Sequence, residues 1–410
     1  MSMLTAPPLS LYVHLPWCVR KCPYCDFNSH ALQGAAPFDD YVDALIRDLE
    51  FDLPLVRGRE LHSIFFGGGT PSLFPADAID RFLQAAARRL TFAANIEITL
   101  EANPGAIEHD HFDRYLAAGI NRLSFGIQSF DDGCLRRLGR IHDRQEAEAA
   151  VKSAQDAGLQ NINLDLMYAL PGQDPAMAER DLACAIALAP AHISHYQLTL
   201  EPNTLFAMRP PPGMPDDELA WDMQQRCQAR LAAAGYAQYE ISAYARPDRQ
   251  CQHNLNYWRF GDYLGIGAGA HGKITLDADQ SLLRRWKLRH PASYLGKAGT
   301  PHGIGGDECI AMQDRPFEFM LNALRLNAGF NLTRFETRTG IERARIAPIL
   351  AVAQNRGWLI QQDDHVMPTE WGRRFANDVI SLFMTEPGDP DSLRRLADNP
   401  THDTNRPERD

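Results

Sequence analysis

The first half of the chain repeats one pattern: a short apolar run, a glycine or proline break, then a stretch whose apolar positions fall three or four apart. The apolar runs are LSLYVHL (9–15), LHSIFFGGG (61–69), IEITLEANP (96–104), INRLSFGIQS (120–129), LQNINLDLMYALP (159–171) and HISHYQLTL (192–200). Their length and bounding turn residues predict buried strands. Between them lie helical patterns. Tyr41, Leu45 and Leu49 are spaced four apart from Phe38 to about Phe51, and AIDRFLQAAARRL (78–90), His111 to Ala118, GCLRRL with RQEAEAAVKSAQDAG up to Gly158, and AMAERDLACAIAL (176–188) follow. Six strand–helix units of this kind predict a parallel sheet covered by helices. The pattern alone fits either a doubly wound sheet or an incompletely closed barrel.

After Leu200 the rhythm stops. MRPPPGMPDDE (208–218) is a loop, because consecutive prolines can neither continue a helix nor sit in a central strand. ELAWDMQQRCQARLAAAG then predicts a helix ending at Gly235. Residues 301–385 predict a small, mainly helical domain: FEFMLNALRL and IERARIAPILAVAQNRG are helices, followed by a hairpin and a last helix. That order resembles a winged helix. The expected organisation is 1–235 as the α/β body, 236–300 as a closing and substrate-side segment, 301–385 as the winged-helix-like domain, and 386–410 as a disordered tail rich in Pro and Asp.

Composition narrows the class. With 45% apolar and 23% charged residues the 410-residue chain reads as a globular protein of one large and one smaller domain. The N-terminal segment lacks a basic stretch followed by an apolar core, and no run reaches the length of a membrane span, so a cytoplasmic protein is expected. A net charge of −11 argues against binding along a nucleic-acid backbone.

The chemistry concentrates in HLPWCVRKCPYCDFNSH, where Cys18, Cys22 and Cys25 have C-x3-C-x2-C spacing. Cys134, Cys184, Cys227, Cys251 and Cys309 share no spacing and read as reduced thiols. Three readings fit the triplet. Zinc would need a fourth ligand, for which His14 and His30 are near. Three unligated cysteines would make a poor core beside Arg20, Lys21 and Pro23. An iron–sulfur cubane held by three thiolates leaves one iron open, whereas ordinary cubanes use four. Trp17, Tyr24 and Phe27 would shield such a cluster, and Arg20 and Lys21 would offset its charge.

This segment resembles the cluster loop of radical S-adenosylmethionine (SAM) enzymes. YVHLPWCVRKCPYCDFNS resembles in particular the anaerobic coproporphyrinogen III oxidase family and, within it, the branch called HemW, whose members are regarded as haem chaperones. The likeness extends from about Leu11 to about Phe383. It implies an incomplete (β/α)6 TIM-like barrel with a smaller C-terminal domain, a [4Fe–4S] cluster on Cys18, Cys22 and Cys25, and SAM on the open iron. Gly67, Gly68, Gly69 and Thr70 in FFGGGTPS (65–72) match the glycine motif that meets the SAM amino group and methionine portion; a tight turn is the plainer reading of the same glycines. Glu101 in EANP, Gln128 in SFGIQS and Asp165 in NLDLMYALP lie at strand ends, where ligands gather in α/β folds. The resemblance makes them SAM contacts, with Asp165 at a ribose hydroxyl and Arg140 at the SAM carboxylate. It adds Tyr12, Tyr24 and Phe27 to the cofactor-binding set. CQHNLNYWRFGDYLGIGAGAHGK (251–273) carries the HN-x2-YW element of His253, Asn254, Tyr257 and Trp258, expected to close the barrel and line the substrate side. His253 and His271 are candidate haem ligands, each also readable as a structural histidine.

Two departures shape the expected function. The oxidase branch carries a further cysteine two places after the third, where this chain has Phe27, and only 17 residues precede Cys18. Both favour haem binding and delivery over porphyrinogen decarboxylation, with an oxygen-independent oxidase or another radical SAM activity as the alternative. The implied partners are haem, a cellular reductant and a haem-acceptor protein, respiratory and membrane-associated, which would bring the chain to a membrane periphery. No catalytic residue is assigned.

Overall fold

The computed structural model describes residues 3–106 and 112–384. Six parallel strands form its centre: β1 (Leu9–Leu15), β2 (Glu60–Gly68), β3 (Thr91–Ala102), β4 (Arg122–Gln128), β5 (Ile162–Tyr168) and β6 (His192–Gln197). They pair in chain order. A doubly wound sheet reverses its order at a switch point; here the winding runs in one direction, as a partial barrel requires. Leu11, Val13, Phe66, Leu100, Phe125, Leu164 and Ile193 are wholly buried in these strands. Burial on both faces is why the strands read as nearly continuous apolar runs.

Helices α1 (Phe38–Asp52), α2 (Ala76–Ala87), α3 (Phe112–Ala118), α4 (Arg144–Asp156), α5 (Pro175–Ala187) and α6 (Asp217–Ala233) connect or follow the strands. In α1 the four-residue repeat Tyr41, Leu45, Leu49 faces the core. Asp143 and Glu146 form a reciprocal capping box that starts α4. The helix expected from His111 is seen from Phe112; His111 lies outside the described residues.

Residues 236–300, together with 301–309 from the start of the expected C-terminal domain, depart from expectation. They do not close the barrel but lengthen the sheet at both edges. β7 (Ala237–Gln238) and β8 (Ala243–Ala245) add antiparallel strands beyond β6. After helix α7 (Gln252–Trp258), β9 (Asp262–Ile266) joins β1 in parallel, and β10 (His271–Leu276), β11 (Ser281–Lys287) and β12 (Ile304–Cys309) continue antiparallel. The resulting twelve-stranded order is β12-β11-β10-β9-β1-β2-β3-β4-β5-β6-β8-β7. Buried charge fixes this extension. Asp262 accepts from Arg59 at 2.8 Å and Lys273 at 3.0 Å, and Lys287 Nζ lies 2.5 Å from Asp48 and 2.7 Å from Asp52 of α1.

The C-terminal part has its own core around Phe319, Phe330 and Phe335. It comprises α8 (Arg315–Ala323), β13 (Phe330–Asn331), α9 (Leu332–Thr339), α10 (Ala347–Asn355), β14 (Leu359–Gln362) and β15 (His365–Pro368), with a small sheet ordered β13-β15-β14. Leu4, Phe260 and Leu282 extend that core toward the barrel. The tail expected to be disordered, 386–410, lies outside the described residues.

Candidate functional site

The cysteine loop leaves the C-terminal end of β1. Residues 17 and 18 pair in parallel with 30 and 31, which folds the loop back on itself. Trp17 anchors it, its ring 4.8 Å from Tyr41 and 5.8 Å from Phe74. Lys21 Nζ donates to the carbonyls of Phe27 at 3.0 Å and Ser29 at 3.3 Å. Cys18, Cys22 and Cys25 consequently line one cavity of about 510 Å³. Burial pushes the Cys18 thiol up, against the pull of a Thr70 hydrogen bond. Among the described residues no three His, Cys, Asp or Glu side chains are placed to hold a single metal ion. A cubane makes no such demand, because each cysteine binds a different iron, so the donor set and the room beside it fit a three-cysteine cluster.

The strand ends supply the opposite wall. Glu101 ends β3 and accepts from the Gly68 amide at 3.2 Å. Burial, with the Asp165 charge adding to it, pushes the Glu101 carboxyl up to about 7. Asp165 on β5 accepts from Ser124 at 3.0 Å and Asn163 at 2.9 Å, and burial raises it too. Gln128 ends β4 at a left-handed φ of 69° and accepts from the Tyr196 hydroxyl at 3.0 Å. Arg140 donates through Nη2 to the Gly126 carbonyl at 2.5 Å and through Nη1 to Cys22 Sγ at 3.7 Å, while its Nε is buried without a partner. A guanidinium and two buried carboxylates lining one cavity suit a zwitterionic amino-acid moiety.

The glycine run explains its own composition. Gly68 has φ +121°, and a Cβ there would lie 2.6 Å from the His14 ring; a Cβ on Gly69 would lie 2.5 Å from the Trp17 carbonyl oxygen. The strand end therefore passes directly beneath the cysteine loop. Gly67 serves differently. It does not line the cavity, and a Cβ there would press on the Tyr12 ring at 3.0 Å.

Of the residues expected at the cofactor, Tyr24, Phe27, Gly68, Gly69, Thr70, Glu101, Gln128, Arg140 and Asp165 share this cavity with the three cysteines. Tyr12 instead lines a neighbouring cavity of about 850 Å³, hydrogen-bonded to His14 Nδ1 at 3.0 Å. The residues missed are those that hold Asp165. Ser124, Asn163 and Ser194 form a hydrogen-bonded cradle around it. Their signal was present: polar or small residues at alternate positions, Ser124 and Gly126, Asn163 and Asp165, Ser194 and Tyr196, inside otherwise apolar strands.

The larger cavity adjoins the first. Asp26, Phe27, Gly68 and Glu101 line both. Its remaining wall is largely aromatic, including Tyr257, Trp258, Tyr263 and Trp286, with Arg289 at the polar side. Phe27, at the border, is 60% exposed. The two candidate histidines differ sharply. His253 is buried, with Nδ1 2.9 Å from Ser63 Oγ and Nε2 3.0 Å from Tyr257 Oη, so both ring nitrogens are engaged behind the cavity wall. His271 lines the cavity, is exposed, stacks near Trp286 and makes no side-chain hydrogen bond among the described residues. Burial, then Arg284 and Arg289, lowers its pKa and favours the neutral ring.

Comparison with known proteins agrees with this arrangement. Residues 12–185 match the Radical SAM superfamily and residues 310–375 the HemN C-terminal domain. The chain is 50% identical over 384 residues to the heme chaperone HemW of Escherichia coli strain K12, covering 94% of this chain and 100% of that protein. It is 31% identical to the heme chaperone HemW of Bacillus subtilis strain 168, covering 92% and 99%. Among solved structures, the coproporphyrinogen III oxidase HemN from Escherichia coli, described as a radical SAM enzyme, superposes with a TM-score of 0.79 at 25% identity over 93% of this chain and 91% of that one. By its cysteine loop, its one-way wound partial barrel and its full-length likeness to these relatives, the chain belongs to the HemW family of the radical SAM superfamily.

Proposed function

We propose that this chain is a haem chaperone. It holds haem beside a SAM-ligated [4Fe–4S] cluster and passes the haem to an acceptor protein, in the cytoplasm or at a membrane where a respiratory acceptor resides. Family membership supports the [4Fe–4S] and SAM chemistry, and membership of HemW rather than of the oxidases stands against porphyrinogen oxidase activity. No helix among the described residues is long and apolar enough to cross a membrane, so a membrane-bound acceptor would be met from outside the bilayer.

The observation that carries the reading is the pair of adjoining cavities. The smaller collects three thiols with the carboxylates of Glu101 and Asp165 and the guanidinium of Arg140 among its charged groups, and the larger offers an aromatic wall with a free imidazole. Cys18, Cys22 and Cys25 would hold the cluster, whose bound form supplies one-electron reduction of SAM. Glu101, Gln128, Arg140 and Asp165 would orient SAM, and Tyr24 and Phe27 would exclude water. In the second cavity a flat apolar macrocycle would stack on Trp258, Tyr263 and Trp286, and Arg289 would meet a carboxylate. His271 is the better axial ligand, since neutral imidazole with a free nitrogen is what iron requires; His253 would have to surrender a buried hydrogen bond first.

The test is anaerobic. The cluster is reconstituted, SAM and reductant are added, and haem or coproporphyrinogen III is offered. Haem absorbance, 5′-deoxyadenosine and decarboxylation are then followed. Stoichiometric haem uptake, lost or spectrally altered in His271→Ala and retained in His253→Gln, is expected. Rapid decarboxylation without stable haem uptake would overturn the reading.

A further inference from the structure

The N-terminal ends of the barrel strands, opposite the cysteine loop, carry a separate polar cavity of about 270 Å³ at the junction with the C-terminal domain. Ser10 at the start of β1 and Ser63 near the start of β2 form its floor, their hydroxyls 2.7 Å apart, and Asn256 Nδ2 donates to Ser10 Oγ at 2.9 Å. Three guanidinium groups form the walls: Arg259, just after α7, and Arg334 and Arg338, one turn apart on α9. No carboxylate lines it.

The charges there are not compensated. Asp262, the carboxylate that acts on Arg338, is already bound by Arg59 at 2.8 Å, Lys273 at 3.0 Å, and the amide and hydroxyl of Thr275 at 2.8 and 2.9 Å. Arg338 spends one donor on the Thr5 carbonyl at 3.3 Å, and its Nε is buried with no partner. Arg259 and Arg334 make no side-chain hydrogen bond or ion pair among the described residues. Burial, with Arg334 and Arg59 adding like charge against the pull of Asp262, pushes Arg338 down to about 10, and burial followed by Arg259 lowers Arg334. The two buried lysines of this protein, by contrast, are each matched with carboxylates, Lys287 with two aspartates and Lys273 with one. In a chain of net charge −11, three partly desolvated guanidiniums converging on an open space call for an anion.

We propose that this cavity binds a small multivalent oxyanion of the phosphate class, inorganic phosphate or diphosphate. Guanidinium forks match tetrahedral oxyanions in geometry as well as charge, and the volume is below that of sites for drug-sized ligands. The bound ion would join α7 and α9 to the barrel floor, and so fasten the C-terminal domain to the strands.

The experiment uses the full chain with its cluster reconstituted. Inorganic phosphate and diphosphate are titrated in turn by calorimetry and by thermal melting, against sodium chloride of matched ionic strength, with the cluster absorbance monitored throughout. One-to-one saturable binding with a rise in Tm is expected. Arg334→Gln/Arg338→Gln should weaken it about tenfold or more, and Arg259→Gln, at the exposed rim, should weaken it without risk to folding. An equal Tm rise in chloride, or undiminished binding in Arg259→Gln, would overturn the proposal. So would sedimentation with phosphatidic-acid vesicles in the absence of any response to the free ions, which would make the site a headgroup-binding surface instead.

Discussion

Glu101 offers a pH test of the site that needs no cofactor. Its carboxyl is buried, and desolvation with the Asp165 charge lifts it from 4.5 to about 7, against the Gly68 amide and the Arg122 charge. The native state therefore keeps this proton to a higher pH than the unfolded chain does. Stability from this group is complete below about pH 4.5, falls as pH rises, and is lost once the pH passes about 7. The shift corresponds to about 3 kcal/mol at most. Glu101→Gln keeps the shape and the Gly68 hydrogen bond but cannot ionise. The cluster-free variant should match the wild type near pH 5 and exceed it by about 1–3 kcal/mol near pH 8. Urea denaturation of both proteins at half-unit pH steps reads the difference directly, and background titrations such as that of Asp181 cancel in the subtraction. Parallel pH profiles for the two proteins would refute the reasoning. The same substitution should weaken SAM binding in the reconstituted protein, since it removes the negative charge that would face an amino group.

Other outcomes follow from the same geometry. Cys22→Ser should lose cluster iron on reconstitution, measured by iron content and visible absorbance, while melting of the cluster-free form changes little. Gly68→Ala should cost about 1–3 kcal/mol in urea denaturation, because φ is +121° and the new Cβ would stand 2.6 Å from the His14 ring. Lys287→Met leaves Asp48 and Asp52 buried without their shared cation, and should destabilise by about 3–5 kcal/mol; restoration by the added Asp48→Asn would identify the lost charge pairing as the cause.

The six parallel strands were legible because each is buried on both faces and ends at a glycine, proline or polar residue. The same ends made Glu101 and Gln128 legible, since a polar group closing an apolar strand has few places to go except the barrel mouth; Asp165, expected at a strand end, sits in the middle of β5. The cradle around Asp165 was harder to see. Ser124, Asn163 and Ser194 come from three strands, and only their register brings them to one carboxylate. The extension through β9 to β12 was not legible at all. β12 reads IGGDEC, with no apolar alternation to announce a strand, and the placement of β9 depends on Asp262 meeting Arg59, Lys273 and Thr275 from distant parts of the chain. A buried carboxylate is unfavourable until its partners are in place, so its role cannot be read from local pattern.

That extension decides more than sheet size. Without β10 and β11 the aromatic cavity would lack His271 and Trp286, and without α7 it would lack Tyr257 and Trp258. The cysteine cavity, by contrast, is built almost entirely from β2 to β6 and the loops at the ends of the parallel strands, with Ser242 its one residue from the added segment. The two cavities therefore rest on largely different parts of one sheet: the parallel strands and their loops carry the residues proposed for the cluster and SAM, and the added strands carry most of the wall proposed to meet haem. Phe27 stands where the two meet, contributing to both cavities while remaining mostly exposed. A large apolar side chain in that position gains most when a flat ligand covers it. Phe27→Ala should consequently weaken haem binding more than SAM binding, and a reversed order would assign the ring to the SAM side instead.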